Sequence, residues 1–509
     1  MEEGPMKKSC LFFVILGFLV FSLAGVSYAW QGRMGGMGDP YGLVQDESDF
    51  LIHPAKIANG KGINFYGGYR FNYTDVNDWS YNLDRFDPAG ALTNFYNYDT
   101  SGKEYKHDAL LGAAFPLGPG RMGLFFTYDG KRGDYDGNES RLGTSVLTDY
   151  DLTSKFDNFA LRLLYGLPSG SFKLGGEFQL AYRQEENRNF MLGRLNYILG
   201  TTNPQTNLTP FQLPYDSKYW EALLKGSLEG KVGPADVEFT LRGGFIFGGD
   251  NSLMLTEGTG FFDSSGDVKG WRIGGDLWMR YPLSNGITLP FLLKIDYQKK
   301  TRDGDGQGEG TFSALWSFPH ESKEKSFHLE AGGGVNKDLG KGTRIAAGIY
   351  YNYLQGEYGI KFRQIFPTLD WREWDHSDYP ASNEHQVMLR LAGELELSPS
   401  VTLRMGLAPF FGWVREDFKF AYSTSAPPTI TTDDISLDGY RWGIGASIGG
   451  TMKFQRFTVE PFINAGYQKL NLKGDGENTL PSGAIGNLWE MDKIRKEWSI
   501  GGGFSVKFN

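Results

Sequence analysis

His53, His107, His320, His328, His376 and His385 are the side chains of this sequence best suited to acid–base work near neutral pH. The densest local grouping is His376 with Glu373, Asp375, Asp378 and Glu384, the residue types a dyad or triad would draw on. No serine signature accompanies them, and neighbouring charges in a polar stretch are ordinarily solvated, so no catalytic residue is assigned and the protein is read as a non-enzyme. His385 is followed four positions later by Leu389 rather than a second histidine, which removes a helical zinc motif. Asp303 to Glu309 and Asp134 to Asn138 are acidic, glycine-containing runs of the kind that hold calcium. A calcium loop of that type needs an acid at its twelfth position, where Ala314 and Ser145 stand. The single cysteine, Cys10, offers no disulfide and no haem-attachment motif. Neither a cofactor nor a metal is expected.

Chemistry being sparse, the informative residues are those that shape elements. The chain has 509 residues, net charge -9, 70 Gly and an aromatic share of 15%. That glycine content is about twice the average for soluble domains, and the aromatic content is too high for a disordered chain. The acidic balance argues against nucleic acid. Beyond the N-terminus no apolar run of about 20 residues exists, which excludes a helical membrane protein.

Three regions follow. Residues 1–29 read as a signal peptide: Lys7 and Lys8 precede an apolar run from Leu11 to Val26, and Ser27-Tyr-Ala29 is a cleavage site. Residues 30–62 are Gly- and Met-rich without sustained alternation. Residues 63–509 alternate with period 2 in stretches of about ten residues or more. In Phe172 to Tyr182, for example, Phe172, Leu174, Phe178 and Tyr182 share one face, and Lys173, Glu177 and Gln179 the other. Candidate strands fall near 63–75, 104–116, 121–131, 154–167, 172–185, 217–231, 236–247, 268–281, 287–299, 324–336, 343–354, 384–397, 401–415, 438–454, 457–471 and 494–508. Tight turns such as 117–120, 168–171 and 398–400 alternate with polar stretches of roughly 20 to 30 residues, read as loops. An even count near 16 (14 to 18 allowed), with short turns on one side only, predicts an all-β, antiparallel, up-and-down transmembrane barrel with both termini on the periplasmic side.

Strands crossing hydrocarbon must close on themselves, with one stripe toward lipid and the other toward a lumen. Tyr69, Tyr73, Tyr105, Tyr128, Tyr165, Tyr182, Trp220, Tyr351, Trp413, Tyr440, Trp442 and Trp498 lie on the apolar stripes, many near strand ends where headgroups would be. The opposite stripes carry Arg70, Arg162, Arg183, Arg242, Arg272, Arg280, Arg344, Arg390, Arg404 and Arg441 with Glu177, Glu221, Glu238, Asp276, Asp296, Glu330, Glu394 and Glu460. These candidate lumen-lining residues form either a hydrated pore wall or interior ion-pair networks, and no ring of one sign is evident. The last strand alternates Trp498, Ile500, Phe504 and Phe508 with small and polar residues. It resembles the C-terminal signal that barrel assembly machinery recognises, with Trp498, Phe504 and Phe508 as its aromatic positions and Asn509 after the usual last aromatic.

The segment before the first strand also carries a resemblance. Gly32-Arg-Met-Gly-Gly-Met-Gly-Asp39, the acidic Asp46 to Asp49, and Phe50-Leu-Ile-His-Pro-Ala55 resemble the N-terminal hatch of the FadL-type transporters of hydrophobic compounds. His53 stands where that family has Asn, and the apparent strand count exceeds the family's 14. The resemblance implies that residues 30–62 plug the barrel, with Gly35, Gly36, Gly38, Asp39, Asp46, Asp49, His53 and Pro54 as plug residues, and that hydrophobic substrates pass. The residues themselves leave open a periplasmic arm.

The sequence therefore predicts a passive porin-like channel or transporter in the outer membrane of a Gram-negative bacterium. Its partners would be membrane lipid and lipopolysaccharide, the assembly machinery, and small hydrophilic or hydrophobic solutes. The alternative is a structural barrel that sheaths or anchors a partner protein such as a cytochrome or lipoprotein. Oligomeric state is not read from the sequence.

Overall fold

The computed structural model describes residues 37, 42–44, 47–141, 144–192, 210–256, 260–310, 317–365, 371–376, 381–423, 430–480 and 482–508. The expected signal peptide and Gly35, Gly36, Gly38, Asp39 and Asp46 lie outside these residues. Two short 3-10 turns, Glu47–Leu51 and Pro54–Asn59, precede the strands. The strands are β1 (Asn64–Phe86), β2 (Leu92–Leu117), β3 (Gly120–Arg141), β4 (Thr144–Ser169), β5 (Phe172–Leu192), β6 (Pro210–Val232), β7 (Ala235–Thr256), β8 (Gly260–Pro282) and β9 (Ile287–Gly310). They continue as β10 (Ser317–Gly340), β11 (Thr343–Ile365), β12 (Trp371–His376), β13 (Ala381–Ser398), β14 (Val401–Ser423), β15 (Ile430–Lys453), β16 (Phe457–Thr479) and β17 (Ile485–Phe508).

Every neighbouring pair is antiparallel, and β1 closes on β17 from Phe65 opposite Phe508 to Phe86 opposite Leu488. β12 and β13 share one barrel position, because β11 pairs with β13 over 344–356 and with β12 over 360–365. The barrel therefore has sixteen positions, as the sequence predicts. The turns 118–119, 170–171, 233–234, 283–286, 341–342, 399–400 and 454–456 lie at one end, but the expectation of short turns on that side only needs correction, because the strands extend so far at the other end that 87–91 and 480–484 are tight turns too. Between β8 and β9, Asn285 (φ 59) and Gly286 (φ 71) both take the left-handed conformation, which matches the twist of the flanking strands.

Alternation sorts the faces. On β6 and β7, Leu224 and Phe245 are 64% and 72% exposed, while Leu223 and Ile246 are 4% and 2%. The outward stripe on β9 runs Leu289, Phe291, Leu293, Ile295, Tyr297, nine residues in all, the length a tilted strand needs to cross a bilayer's hydrocarbon. Equivalent stripes continue around the barrel, an apolar band far larger than a water-soluble monomer tolerates. Among the described residues no helix is long and apolar enough to cross a membrane.

A second expectation needs correction. The stretches read as loops of 20 to 30 residues are mostly paired strand: β2 has 26 residues and runs well beyond its apolar half. The acidic runs at 134–138 and 303–309 lie in β3 and β9, and His376 ends β12. Above the bilayer the outward face meets water and the inward face is filled largely by polar and charged side chains such as Tyr135, Lys300 and Arg302, so the hydrophobic period vanishes while backbone pairing continues.

Candidate functional site

Between the end of the second 3-10 turn and β1, the chain is held by Arg121, whose guanidinium donates to the Gly62 carbonyl, the Asn64 side chain and, at 3.1 Å, the Ala114 carbonyl. Upstream of that anchor, the segment meets the inward faces of strands on several sides of the barrel. Phe50, Leu51 and Ile57 pack with Tyr66, Leu110, Phe125 and Leu164 of β1 to β4, with the Phe50 and Phe125 rings 5.3 Å apart. Met37, Leu43 and Val44 pack with Leu292, Ala346, Tyr350 and Ala392 of β9, β11 and β13. A segment touching inward residues of β1 and β13 at once lies inside the barrel. Gly175 on β5 makes room for it: a Cβ there would stand 2.0 Å from the Ala55 nitrogen.

The polar contacts of the segment concentrate on β4 to β8. Arg162 and Lys225 both donate to the Leu51 carbonyl while sharing Glu177. The Ala55 amide donates to Ser227 Oγ at 2.6 Å. Lys56 Nζ lies 2.8 Å from both Asp49 Oδ2 and Glu238 Oε2, and Glu238 also pairs with Arg280 at 2.6 Å. His53 Nδ1 is 2.7 Å from Thr240 Oγ1, and its Nε2 is 3.7 Å from Glu238. Burial pushes the imidazole down to about 4, against the pull of Glu238. Trp278 is the hub of this cluster. Its Nε1 donates to the Gly42 carbonyl at 2.9 Å, and its ring lies 4.7 Å from Lys56 Nζ and 4.9 Å from the Arg280 guanidinium.

The opposite side of the lumen is different. At the short-turn end a cavity of about 400 Å³ opens against β1, β10, β11 and β13 to β17, lined by Arg344, Glu394, Arg404, Thr451, Glu460 and Ser505 among others. Arg404 bridges Glu394 (2.8 Å) and Glu460 (3.2 Å), and Glu460 also accepts from Thr451 and Ser505. Toward the far end, the same wall turns Val414, Ile435, Leu437, Leu470, Leu472 and Met491 inward as one buried apolar cluster.

All ten arginines proposed for the lumen are on inward faces and all pair with carboxylates. Besides those above, Arg70 pairs with Asp108, Arg183 with Glu221, Arg242 with Asp276 and Asp296, Arg272 with Glu221 and Asp296, Arg390 with Glu330, and Arg441 with Glu384. The charges of the wall are thus ion-pair networks whose Arg–carboxylate geometry makes burial tolerable. Asp49, His53 and Pro54 are in the docked segment. Trp498, Phe504 and Phe508 lie on the outward face of β17. Sequence reasoning missed Lys56, Lys225 and Trp278. Trp278 shares its parity with Asp276 and Arg280, so its inward position was readable.

No protein-family model and no curated protein sequence matches this chain. Its structural neighbours include FadL-type channels. The chain is similar to a TodX monoaromatic hydrocarbon channel mutant (12% identity, TM-score 0.42, 96% of this chain and 99% of that one). It is similar to a Pseudomonas aeruginosa FadL homologue (12%, 0.41, 95% and 99%) and to the P. putida toluene transporter TodX (12%, 0.38, 96% and 99%). Likenesses at these scores carry no part of the functional reading, which rests on the geometry of the lumen.

Proposed function

We propose that the protein is an outer-membrane channel for passive passage of small solutes, with residues 30–62 acting as a plug. One observation carries this reading: the N-terminal segment packs inside the lumen, its polar contacts concentrated on β4 to β8, while a polar cavity of about 400 Å³ stays open beside β14 to β17. A segment acting only as a periplasmic brace would have no reason to bury Lys56, His53 and Phe50 among inward side chains of the barrel. The mixed charges and hydroxyls of Arg404, Glu460, Thr451 and Ser505 suit a hydrated exit. A second reading, passage of hydrophobic compounds, is favoured by the inward apolar cluster around Leu437 and Leu472 at the far end of the same wall. The closed apolar band supports a membrane crossed by strands, and together with the signal peptide expected over residues 1–29 it favours the outer membrane in this reading.

The test is single-channel conductance in a planar bilayer, with and without residues 30–55. Silence or brief openings of the intact protein and steady conductance after deletion support a plugged channel. Large steady conductance of the intact protein overturns the plug. Silence of both overturns the channel and leaves a scaffold that holds a partner. Sugar-driven swelling of vesicles against uptake of an aromatic hydrocarbon then separates the two solute classes.

A further inference from the structure

On the side of the bilayer away from the short turns, the outward stripes end in a belt of ring side chains joined by cross-strand pairs. Tyr297 of β9 lies directly opposite Phe327 of β10, and Tyr467 of β16 opposite Trp498 of β17, with ring centroids of the latter 4.4 Å apart. One outward step beyond each aromatic pair stands a pair of lysines. Lys299 is directly opposite Lys325, and Lys469 directly opposite Lys496. The two arrangements are the same and lie six strand positions apart on the sixteen-position barrel. The first is extended by Lys269 of β8, which faces Thr301, itself opposite Lys323.

Like charges directly across a ladder repel, so sheets ordinarily avoid them. Some compensation is present: Lys325 pairs with Glu357, and Lys269 with Asp267. The repeated order, apolar stripe, aromatic pair, lysine pair, nonetheless matches an amphiphile with acyl chains below and anionic groups just above. Beyond other aromatic pairs the same outward step sets a cation against a carboxylate or an amide, as at Lys103 opposite Asp75, Lys218 opposite Gln184 and Arg415 opposite Asp438, and the like-charged pair Arg132/Lys155 stands two steps beyond Tyr128/Phe159. What sets the two surfaces apart is a doubled positive charge immediately beyond the aromatic pair.

We propose that these two outer surfaces, centred on Lys299/Lys325 and Lys469/Lys496, bind the phosphorylated disaccharide headgroup of lipopolysaccharide. The ammonium groups take the phosphates, and the aromatic pairs bear the junction of sugar and acyl chain. Lipopolysaccharide fits better than a glycerophospholipid because its paired phosphates sit on a rigid disaccharide directly above the acyl chains, and the short-turn end assigns this rim to the outer leaflet. The inference rests on the outer-membrane reading and is independent of what passes the lumen.

The test measures binding of bisphosphorylated lipid A in mixed micelles to the full-length mature barrel. The variants are K299Q/K325Q, K469Q/K496Q, and a control, K231Q/K341Q, that removes the same charge at the short-turn end. Each lysine pair removed should weaken binding about tenfold or more, with the control unchanged and dephosphorylated lipid A binding every form equally weakly. Equal binding of lipid A by wild type and both pair variants would overturn the site. Phosphatidylglycerol or inorganic phosphate binding as tightly, with the same loss in the variants, would overturn lipopolysaccharide as the occupant. In micelles free of lipid A, K299Q should leave Tm unchanged or raise it by relieving repulsion, whereas a structural role would lower it. Failure of wild type to insert into phosphatidylcholine vesicles would instead overturn the membrane reading.

Discussion

The wall from β4 to β8 and the wall from β13 through β17 to β1 are built from the same kind of residue, arginines paired with carboxylates on inward faces. What differs is the third partner. On the first wall the pairs are completed by the chain's own N-terminal segment: Arg162–Glu177 holds the Leu51 carbonyl, and Arg280–Glu238 holds Lys56. On the second, Arg404–Glu460 is completed by Thr451 and Ser505 and faces a cavity. A charged lumen is thus not one environment. Ion pairs sealed by a docked segment are desolvated and hold it in place, whereas those facing open volume stay hydrated.

The contrast can be broken most severely by removing the segment. Deleting residues 30–55 should raise conductance by about tenfold or more in a planar bilayer while leaving the barrel folded by heat-modifiability on a gel. If conductance is unchanged, the segment does not occupy the route.

Breaking one contact should do less. In Lys56→Ala, Asp49 and Glu238 remain buried with a cation removed, at a cost of about 3–5 kcal/mol. Protease sensitivity of residues 42–59 should rise together with the frequency of openings. Trp278→Ala should act in the same direction, since it removes the ring between Lys56 and Arg280 and the donor to Gly42. Retention of protection in both would place the holding energy in the apolar clusters instead.

Acid should loosen the segment through His53. Its value when docked, about 4, lies below the ordinary 6.5, so the released state binds more protons between those two values. Docking strength is therefore complete above pH 6.5 and is lost as pH falls toward 4, by roughly 3 kcal/mol at about 1.4 kcal/mol per pH unit. Conductance recorded from pH 7 to 4 should show openings increasing across this window, and His53→Asn should flatten the profile. An identical profile in that variant would assign acid sensitivity to the carboxylates.

The smallest effect belongs to the open wall. Glu460→Gln should leave protease protection of the segment intact and shift cation over anion preference by about twofold, read as reversal potential in a salt gradient. A change in protection would mean that the two walls are coupled.

Much of this was legible in the sequence because side-chain alternation is local. Successive residues of a strand point to opposite faces whatever the strand pairs with, so Arg162, Glu177 and Arg242 could be placed inward and Trp220, Trp413 and Trp498 outward from parity alone. The length of the strands was not legible. Around Asp134 in β3 and Asp303 in β9 the inward face is still buried at Tyr135, Lys300 and Arg302, but it is filled by hydrogen-bonding and charged side chains rather than aliphatic ones, so the hydrophobic period disappears although the ladder continues.

The chain by itself determined a sixteen-position antiparallel barrel, the facing of its side chains and the aromatic belt, since each follows from period 2 and turn residues a few positions apart. Only the tertiary structure decided that the N-terminal segment lies in the lumen and against which wall. Those contacts join residues far apart in sequence, 187 positions between His53 and Thr240 and 236 between Gly42 and Trp278. Sixteen strands have similar inward faces. Which of them presents the carboxylate, hydroxyl and indole that match Lys56, His53 and the Gly42 carbonyl is fixed by closure of the barrel, which no local period records.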